Sequence, residues 1–221
     1  EIGVRLVGSE MCIRDRNCGD PSFGGAMYVC TTCHNMKFVS FRCKSRFCPT
    51  CGVKYSQERS TRMAFKLLNC THRHCVFTID EELRHFFLED RSLLNCLFRA
   101  VQSVILRMFN KMNQSQNFVP GFICVLHTFG RPLEWNPHIH CILSEGGFSD
   151  NAIWRPVKHF NYTYLRNAFQ TALLNEMEQH IGPSFKKIKA YIYHKDKNGF
   201  YVYAKPNLCD PNTVIKYIGR Y

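Results

Sequence analysis

The sequence predicts an α+β protein in which a small metal-stabilised module precedes a larger domain built on an antiparallel sheet. Three observations indicate this. Seven of the 13 cysteines lie before residue 52, strand-like and helical patterns are interleaved after residue 71, and short turns join neighbouring strand-like segments. Hydrophobic residues make up 45% of the 221 residues and charged residues 21%, which is typical of folded domains rather than disordered chains.

The chain is strongly basic, with 29 Lys and Arg against 17 Asp and Glu and a formal net charge of +12. Residues 1–75 hold 12 of the basic and five of the acidic residues, so the front third of the chain is the most positive part. This excess indicates a polyanionic partner, most often nucleic acid. Because no run of 18 apolar residues occurs, we expect no membrane span. With nucleic acid as the partner, we also expect no small-molecule substrate.

Residues 1–16 have neither clear periodicity nor the features of a secretion signal. We expect them to be a non-native leader that resembles translated adapter sequence. An odd number of cysteines without a secretion signal argues against a disulfide framework and predicts a reducing cytoplasm.

Residues 17–70 are predicted to form a zinc-binding domain that ends in a basic helix over 54–70. Two C-x2-C pairs, Cys30 with Cys33 and Cys48 with Cys51, are 14 residues apart, and four such thiolates suit tetrahedral Zn²⁺. Because the segment is too short to bury an adequate hydrophobic core, metal binding would supply the free energy of folding. Cys18 and Cys43 are further candidates, as replacement ligands or for a second ion. Reduced cysteines without metal are the alternative.

Arg42, Lys44 and Arg46 lie inside the second half of this module. At these positions they could contact DNA phosphates. An ordinary solvated face is the alternative interpretation.

Residues 71–221 are predicted to form the second domain. Strands are expected over 75–79, 122–129 and 138–143, and helices after Asp90 and over 164–181, the latter ended by Gly182-Pro183. Residues 188–193 and 200–204 predict a hairpin that turns at Asn198-Gly199. Asp210-Pro211 is expected to begin a last helix.

The segment Asn136-Pro-His-Ile-His140 places His138 and His140 on the same side of a strand, where both imidazoles can meet one cation. If the strands around residues 130–135 pair symmetrically, His127 lies opposite His138 and becomes a candidate third ligand. Hydrogen-bonded structural histidines are the alternative.

Tyr217 and Tyr221 are four residues apart on the predicted last helix and share one face, with Lys216 and Arg220 interleaved. Tyrosines at this spacing are more often packing residues than nucleophiles. A tyrosine, whose free pKa is about 10, needs help to attack a phosphodiester, and a metal ion beside the phosphate gives that help.

Taken in order, these motifs resemble a known family, the two-tyrosine rolling-circle transposases of the insertion-sequence family numbered ninety-one. That family belongs to the HUH (His-hydrophobe-His) endonuclease class. The resemblance runs from about Asn17 to Tyr221. It rests on the Cys pairs, the long helix, Leu126-His-Thr-Phe-Gly130, Asn136-Pro-His-Ile-His140, Gly199-Phe-Tyr-Val-Tyr-Ala-Lys-Pro206 and Tyr217-Ile-Gly-Arg-Tyr221.

The resemblance implies a zinc-binding N-terminal domain and a catalytic α+β domain with a central antiparallel sheet flanked by helices. His138 and His140 would match the ligands of a catalytic Mg²⁺ or Mn²⁺, and Tyr217 and Tyr221 the paired nucleophiles. The implied activity is that of a transposase acting at the bacterial nucleoid. It would nick and rejoin single-stranded transposon ends through a 5′-phosphotyrosine.

Two alternatives stay open at this point: a replication initiator or relaxase of the same class, and a non-catalytic zinc-dependent DNA-binding fragment. The family continues past the tyrosines, whereas this chain stops at Tyr221. We therefore expect a truncated catalytic domain with weak or no transposition.

Overall fold

The computed structural model describes residues 17–112, 118–130, 132, 134–157, 161–204 and 211–219. The chain divides into two compact units. The first draws on Glu1–Phe65 and Ile215–Tyr221, and the second on Lys66–Val214. The domain limits predicted above, including the leader over residues 1–16, stay predictions, and residues 1–16 lie outside the described part of the chain.

The first unit contains a two-stranded hairpin and a helix. Strands β1 (Gly25–Val29) and β2 (Met36–Ser40) pair antiparallel. Helix α1 (Pro49–Ala64) begins earlier than the predicted basic helix, because Pro49 suits the first helical position and the Cys48 thiol accepts the backbone N–H of Cys51. Met63 is its buried residue.

The second unit is built on an antiparallel sheet of five strands. These are β3 (His72–Thr78), β4 (Phe118–Phe129), β5 (Trp135–Ser149), β6 (Trp154–Pro156) and β7 (Val202–Tyr203). The strand order is β4-β5-β3-β7, and β6 pairs with β5 off this path. Every pairing is antiparallel, so the predicted α+β class with an antiparallel sheet is confirmed.

Among the described residues of this unit, four helices accompany the sheet: α2 (Arg84–Glu89), α3 (Leu94–Met112), α4 (Tyr162–Ile181) and α5 (Lys186–Lys195). One face of the sheet belongs to the main buried cluster together with α3 and α4, and its members include Cys75, Phe77, Ile139, Cys141, Leu97, Val101, Ile105, Leu165, Phe169 and Leu173. Each fully buried Leu, Ile or Phe contributes about 1.5–3 kcal/mol. Because side chains alternate along a strand, the residues between these core positions point to the opposite face.

Helices α3 and α4 confirm the two helices that the apolar spacing predicts. Asp90 caps the single 3-10 turn that leads into α3, and its carboxylate accepts a hydrogen bond from the backbone N–H of Ser92 at 2.8 Å. Helix α4 ends at Gly182, whose φ of +90° is a conformation that residues with a side chain rarely adopt. The predicted helix stop at Gly182-Pro183 is therefore confirmed.

The predicted hairpin over 188–204 is wrong, because residues 186–195 form helix α5. Phe185, Ile188 and Ile192 recur at spacings of three and four, and Phe185 and Ile192 are fully buried. This helical stripe outweighs the strand preference of the isoleucines and tyrosines. Gly199, with φ +75°, is needed because its α-carbon lies against the backbone of Arg166 on α4.

The segment Arg91–Lys111, which includes most of α3, is the one helix among the described residues that is long and apolar enough to cross a membrane. Half of this segment is buried inside the protein. Leu97, Val101 and Ile105 belong to the main buried cluster, so packing within the second unit accounts for the apolar composition of α3.

The last helix, α6 (Pro211–Ile218), buries Ile215 and Ile218. Gly219 follows it and lies so close to Ser60 and Met63 of α1 that a side chain would collide with them. This places the end of α6 against α1 within the first unit. The predicted N-cap, Asp210, lies outside the described residues.

Candidate functional site

Strands β4 and β5 bring three histidines to one face of the sheet. His127 on β4 is the register partner of His138 on β5, as symmetric pairing of these strands predicts. His140 lies two residues further along β5 and shares that face. One ligand nitrogen from each ring lies within 4.8 Å of the others. His127 and His140 are buried and His138 is half-buried.

Hydrogen bonds orient two of these rings. His138 Nδ1 lies 2.6 Å from the carbonyl oxygen of Asn136, and because a carbonyl only accepts, this nitrogen carries the proton. His138 Nε2 is then the atom with a lone pair. His140 Nδ1 lies 2.8 Å from Nε2 of His74 on β3, so a fourth imidazole supports the group from the neighbouring strand.

The register of β3 against β5 is held by an ion pair. Arg73 Nε donates to Glu145 Oε1 at 2.7 Å, and both side chains are largely buried. Arg73 also donates to the carbonyl of Ala204 at 2.7 Å. The hydrogen bonds of Arg73 hold this part of β3 in place, and the next residue, His74, points to the face opposite that of Arg73.

Burial keeps the central imidazole neutral. Burial and, to a smaller extent, positive charge on His127, His74 and His138 together lower the pKa of His140 to about 2. Burial also lowers the pKa of His74. Neutral imidazoles have the free lone pair that a metal ligand needs, and a hydrogen bond to the second ring nitrogen is typical of ligating histidines. The arrangement therefore fits a divalent transition-metal ion.

Sequence reasoning missed His74. The signal was present, because His72 and His74 repeat the spacing of His138 and His140 on another strand-like segment. Finding it required knowing that β3 pairs with β5, which only the tertiary structure shows.

Four cysteines gather in the first unit: Cys18, Cys43, Cys48 and Cys51. Their sulfur atoms lie within 4.8 Å of one another, with Cys18 Sγ 3.4 Å from Cys51 Sγ. The backbone N–H of Cys51 lowers the pKa of the Cys48 thiol to about 7. A pKa this low favours the thiolate that zinc requires, and four thiolates at these distances fit tetrahedral Zn²⁺.

This grouping differs from the predicted set of Cys30, Cys33, Cys48 and Cys51. The β1–β2 hairpin explains the difference, because Cys18 precedes β1 and Cys43 follows β2, so both lie at its open end. There the Gly19 N–H donates to the carbonyl oxygen of Phe41 at 3.1 Å. Cys30 and Cys33 lie in its turn and are exposed. The two alternative ligands considered for the sequence, Cys18 and Cys43, are those that the structure brings to Cys48 and Cys51.

The basic residues predicted to contact DNA are exposed where the structure describes them. Arg42, Lys44 and Arg46 follow β2, and the Arg46 guanidinium carbon lies 4.6 Å from the centre of the Tyr55 ring. Lys216 is exposed on α6. Arg220 lies outside the described residues.

Tyr217, on α6 in the first unit, is 45% exposed. Tyr221 lies outside the described residues. The roles of both tyrosines as nucleophiles, and their meeting with the three histidines at one cation, stay predictions.

A third group of metal-binding residue types, Cys96, Glu176 and His180, joins α3 to α4. Arg99 Nε donates to Glu176 at 2.7 Å, and another nitrogen of the same guanidinium lies 2.9 Å from His180 Nε2. A guanidinium here already supplies the positive charge that a metal would bring. We therefore interpret this group as a structural contact between α3 and α4.

Two family models match the chain. The model described as "Transposase zinc-binding domain" matches residues 9–79. The model described as "Putative transposase" matches residues 121–221.

Two curated proteins are similar over longer segments. The chain is 30% identical over 157 residues to "Transposase for insertion sequence element IS801" of Pseudomonas savastanoi pv. phaseolicola, over 70% of this chain and 37% of that protein. It is 29% identical over 223 residues to "Putative transposase y4qJ" of Sinorhizobium fredii (strain NBRC 101917 / NGR234), over 92% of this chain and 56% of that protein. The chain thus spans only 37% to 56% of the length of these relatives.

Among solved structures, the chain is similar to the conjugative relaxase TrwC in complex with oriT DNA, in a metal-bound structure. The likeness has a TM-score of 0.36 and 14% identity, over 66% of this chain and 63% of that chain.

The two family models together define the class of protein: transposases in which a zinc-binding module precedes the transposase domain. The chain belongs to the insertion-sequence family numbered ninety-one, as its motifs predict.

Proposed function

We propose that the chain is a transposase that nicks and rejoins single-stranded DNA through a covalent 5′-phosphotyrosine. The observation that carries the proposal is the gathering of His127, His138 and His140 within 4.8 Å in a chain of a transposase family. The net charge of +12 supports DNA as the substrate. The place of action would be the bacterial cytoplasm, at the nucleoid.

The three histidines would hold the catalytic cation. Of Mg²⁺ and Mn²⁺, the three imidazole nitrogens suit Mn²⁺ better, because Mg²⁺ prefers oxygen ligands. When bound, the cation would polarise the phosphoryl oxygens and offset the negative charge that develops on them. His74 would keep His140 oriented, with Nε2 as the ligand atom.

Tyr217 and Tyr221 would be the nucleophiles. The phenolic oxygen of one forms a bond to phosphorus while the bond from phosphorus to O3′ breaks. The 3′-oxygen leaves as a hydroxyl, and the proton it gains balances the proton that the phenol loses. Because the phosphoester is kept, attack by a 3′-hydroxyl rejoins a strand without ATP. The second tyrosine would allow a second strand to be cut before the first is released.

The first unit would bind zinc and DNA. Cys18, Cys43, Cys48 and Cys51 would hold a structural Zn²⁺ that stabilises a module with few buried residues. Cys30 and Cys33 are a second candidate pair. Phosphate contacts would come from the exposed basic side chains Arg42, Lys44, Arg46 and Lys216, and from Arg220.

The proposal is tested by incubating the 221-residue chain with Mn²⁺ and labelled single strands that carry transposon ends. A protein–DNA adduct that survives denaturation is expected. The double variant Tyr217→Phe with Tyr221→Phe should form none. Tyr191→Phe is the matched control, because Tyr191 is exposed on α5 and has no proposed role.

Other outcomes identify the alternatives. An adduct at a plasmid origin but not at transposon ends would indicate a replication initiator or relaxase of the same class. If a chain extended to the length of its relatives binds DNA but forms no adduct, the protein is a zinc-dependent DNA-binding protein without this activity.

A further inference from the structure

The β1–β2 hairpin exposes apolar side chains on both of its faces. Six of them are between 40% and 72% exposed: Met27, Tyr28, Val29, Met36, Phe38 and Val39. A two-stranded sheet gains little stability from side chains that stay in contact with water. Packing within the hairpin therefore does not explain this composition, and an exposed apolar surface of this kind indicates a binding surface.

The register sorts these side chains into two faces. Met27 lies opposite Phe38 on one face, and Tyr28 lies opposite Lys37 on the other. Directly opposed residues have their Cβ atoms about 4.5–5.5 Å apart. An aromatic ring and an ammonium group therefore lie side by side next to the turn of the hairpin.

The charge of the unit selects the class of partner. Its described residues, 17–65 and 215–219, include eight Lys and Arg but only two Asp and Glu. Arg42, Lys44 and Arg46 follow the hairpin directly and are exposed. A partner that offers both negative charge and flat apolar surfaces complements this unit, and nucleic acid has both.

We propose that the β1–β2 hairpin binds unpaired bases of single-stranded DNA by stacking, with Lys37 on the adjacent phosphate. The inference rests on the proposed function, which supplies a single-stranded substrate. A β-ribbon can also enter the major groove, but there it reads donors and acceptors on base edges. Met, Val and Phe carry no such groups, whereas every unpaired base offers a flat face to an aromatic ring.

Tyr28 is the main candidate for stacking, because it is an aromatic residue of the hairpin and is 61% exposed. Phe38 also has a structural contact, since its ring lies over Gly25, where a side chain would collide with it. A change at Phe38 could therefore alter the hairpin itself. Tyr28 is the better position for a test.

The test measures binding of a fluorescent oligothymidylate of roughly 15 nucleotides, and of a duplex of equal length, to the zinc-loaded 221-residue chain. Tyr28→Leu is expected to weaken single-strand binding about 5- to 150-fold, the loss of one stacked base. Duplex binding should change less than about twofold. Tyr191→Leu is the matched control, because Tyr191 on α5 is 53% exposed and outside the hairpin.

If Tyr28→Leu loses its zinc, a second variant at the same position is needed to test stacking in a folded module. Tyr28→Trp should bind the single strand as tightly as the parent, and its added indole fluorescence should be quenched by the bases. No quenching at saturating DNA, or equal losses for single strand and duplex, would overturn the inference. So would a change of oligomeric state in Tyr28→Leu, which would make the hairpin an interface between chains.

The adduct assay separates this inference from the proposed function. If Tyr28→Leu binds oligothymidylate like the parent and the parent forms adducts, only the stacking inference fails. If the parent binds DNA but neither it nor a chain extended to the length of its relatives forms an adduct, the proposed chemistry fails and the stacking result stands on its own.

Discussion

His74 and His140 lie on neighbouring strands and share a hydrogen bond of 2.8 Å between His74 Nε2 and His140 Nδ1. Their ring planes are inclined by only 13° and their centroids are 5.1 Å apart, so the two rings meet edge to edge along this bond. The bond engages Nδ1 of His140, so Nε2 is the atom that can serve a cation. His74 is therefore a positioning residue that acts through His140.

His74→Ala should lower the affinity of the chain for Mn²⁺ about 10- to 100-fold, the usual cost of losing a group that orients a metal ligand. Mn²⁺ binding is measured by calorimetry or by the electron paramagnetic resonance of the free ion. His74→Gln keeps an acceptor and should recover part of the affinity. His72→Ala is the matched control on the same strand and face. Equal Mn²⁺ affinity in His74→Ala and the parent would contradict the assignment.

His138→Ala should abolish formation of the DNA adduct, because it removes one of three cation ligands. Zinc content and single-strand binding should stay unchanged, since both are assigned to other residues. His85→Ala, at an exposed position on α2, should form adducts normally. Loss of folded structure in His138→Ala, seen by circular dichroism, would instead mean that the histidine is structural.

Single Cys→Ser variants distinguish the two possible sets of zinc ligands. Cys43→Ser should lose zinc and unfold the first unit, because three thiolates remain where four are needed. Cys33→Ser should keep the zinc bound by Cys18, Cys43, Cys48 and Cys51. Metal analysis of the purified variants gives the answer, and the reverse pattern would restore the set predicted from the sequence.

Gly199→Ala should reduce the free energy of unfolding by about 2–5 kcal/mol, because the new methyl group would meet the backbone of Arg166 at a residue with φ +75°. Gly182→Ala separates the two causes. Gly182 has φ +90° and ψ −166°, a conformation almost restricted to glycine, but no atom lies within 4 Å of the added Cβ, so only the backbone strain, about 1–3 kcal/mol, should appear. Urea denaturation followed by circular dichroism compares the variants. Equal losses would show that the contact with α4 adds nothing.

Several features could be predicted because they depend on residues close together in the chain. The apolar spacing after Asp90 predicted α3, and the short turn between β4 and β5 predicted that His127 faces His138. The prediction from local spacing was wrong where the strand period and the helical period occur in the same segment. Residues 188–193 have strand-forming residue types, but the buried positions Phe185 and Ile192 follow the helical period.

The sequence by itself determined the family, the basic charge, the presence of a thiol-rich module and the identity of three histidines on two paired strands. Only the tertiary structure decided which cysteines meet, and that His74 joins the histidine group. The physical reason is that these contacts depend on long-range pairing. Cys18 reaches Cys43 across the open end of a hairpin, and His74 reaches His140 across the pairing of β3 with β5, 66 residues apart in the chain.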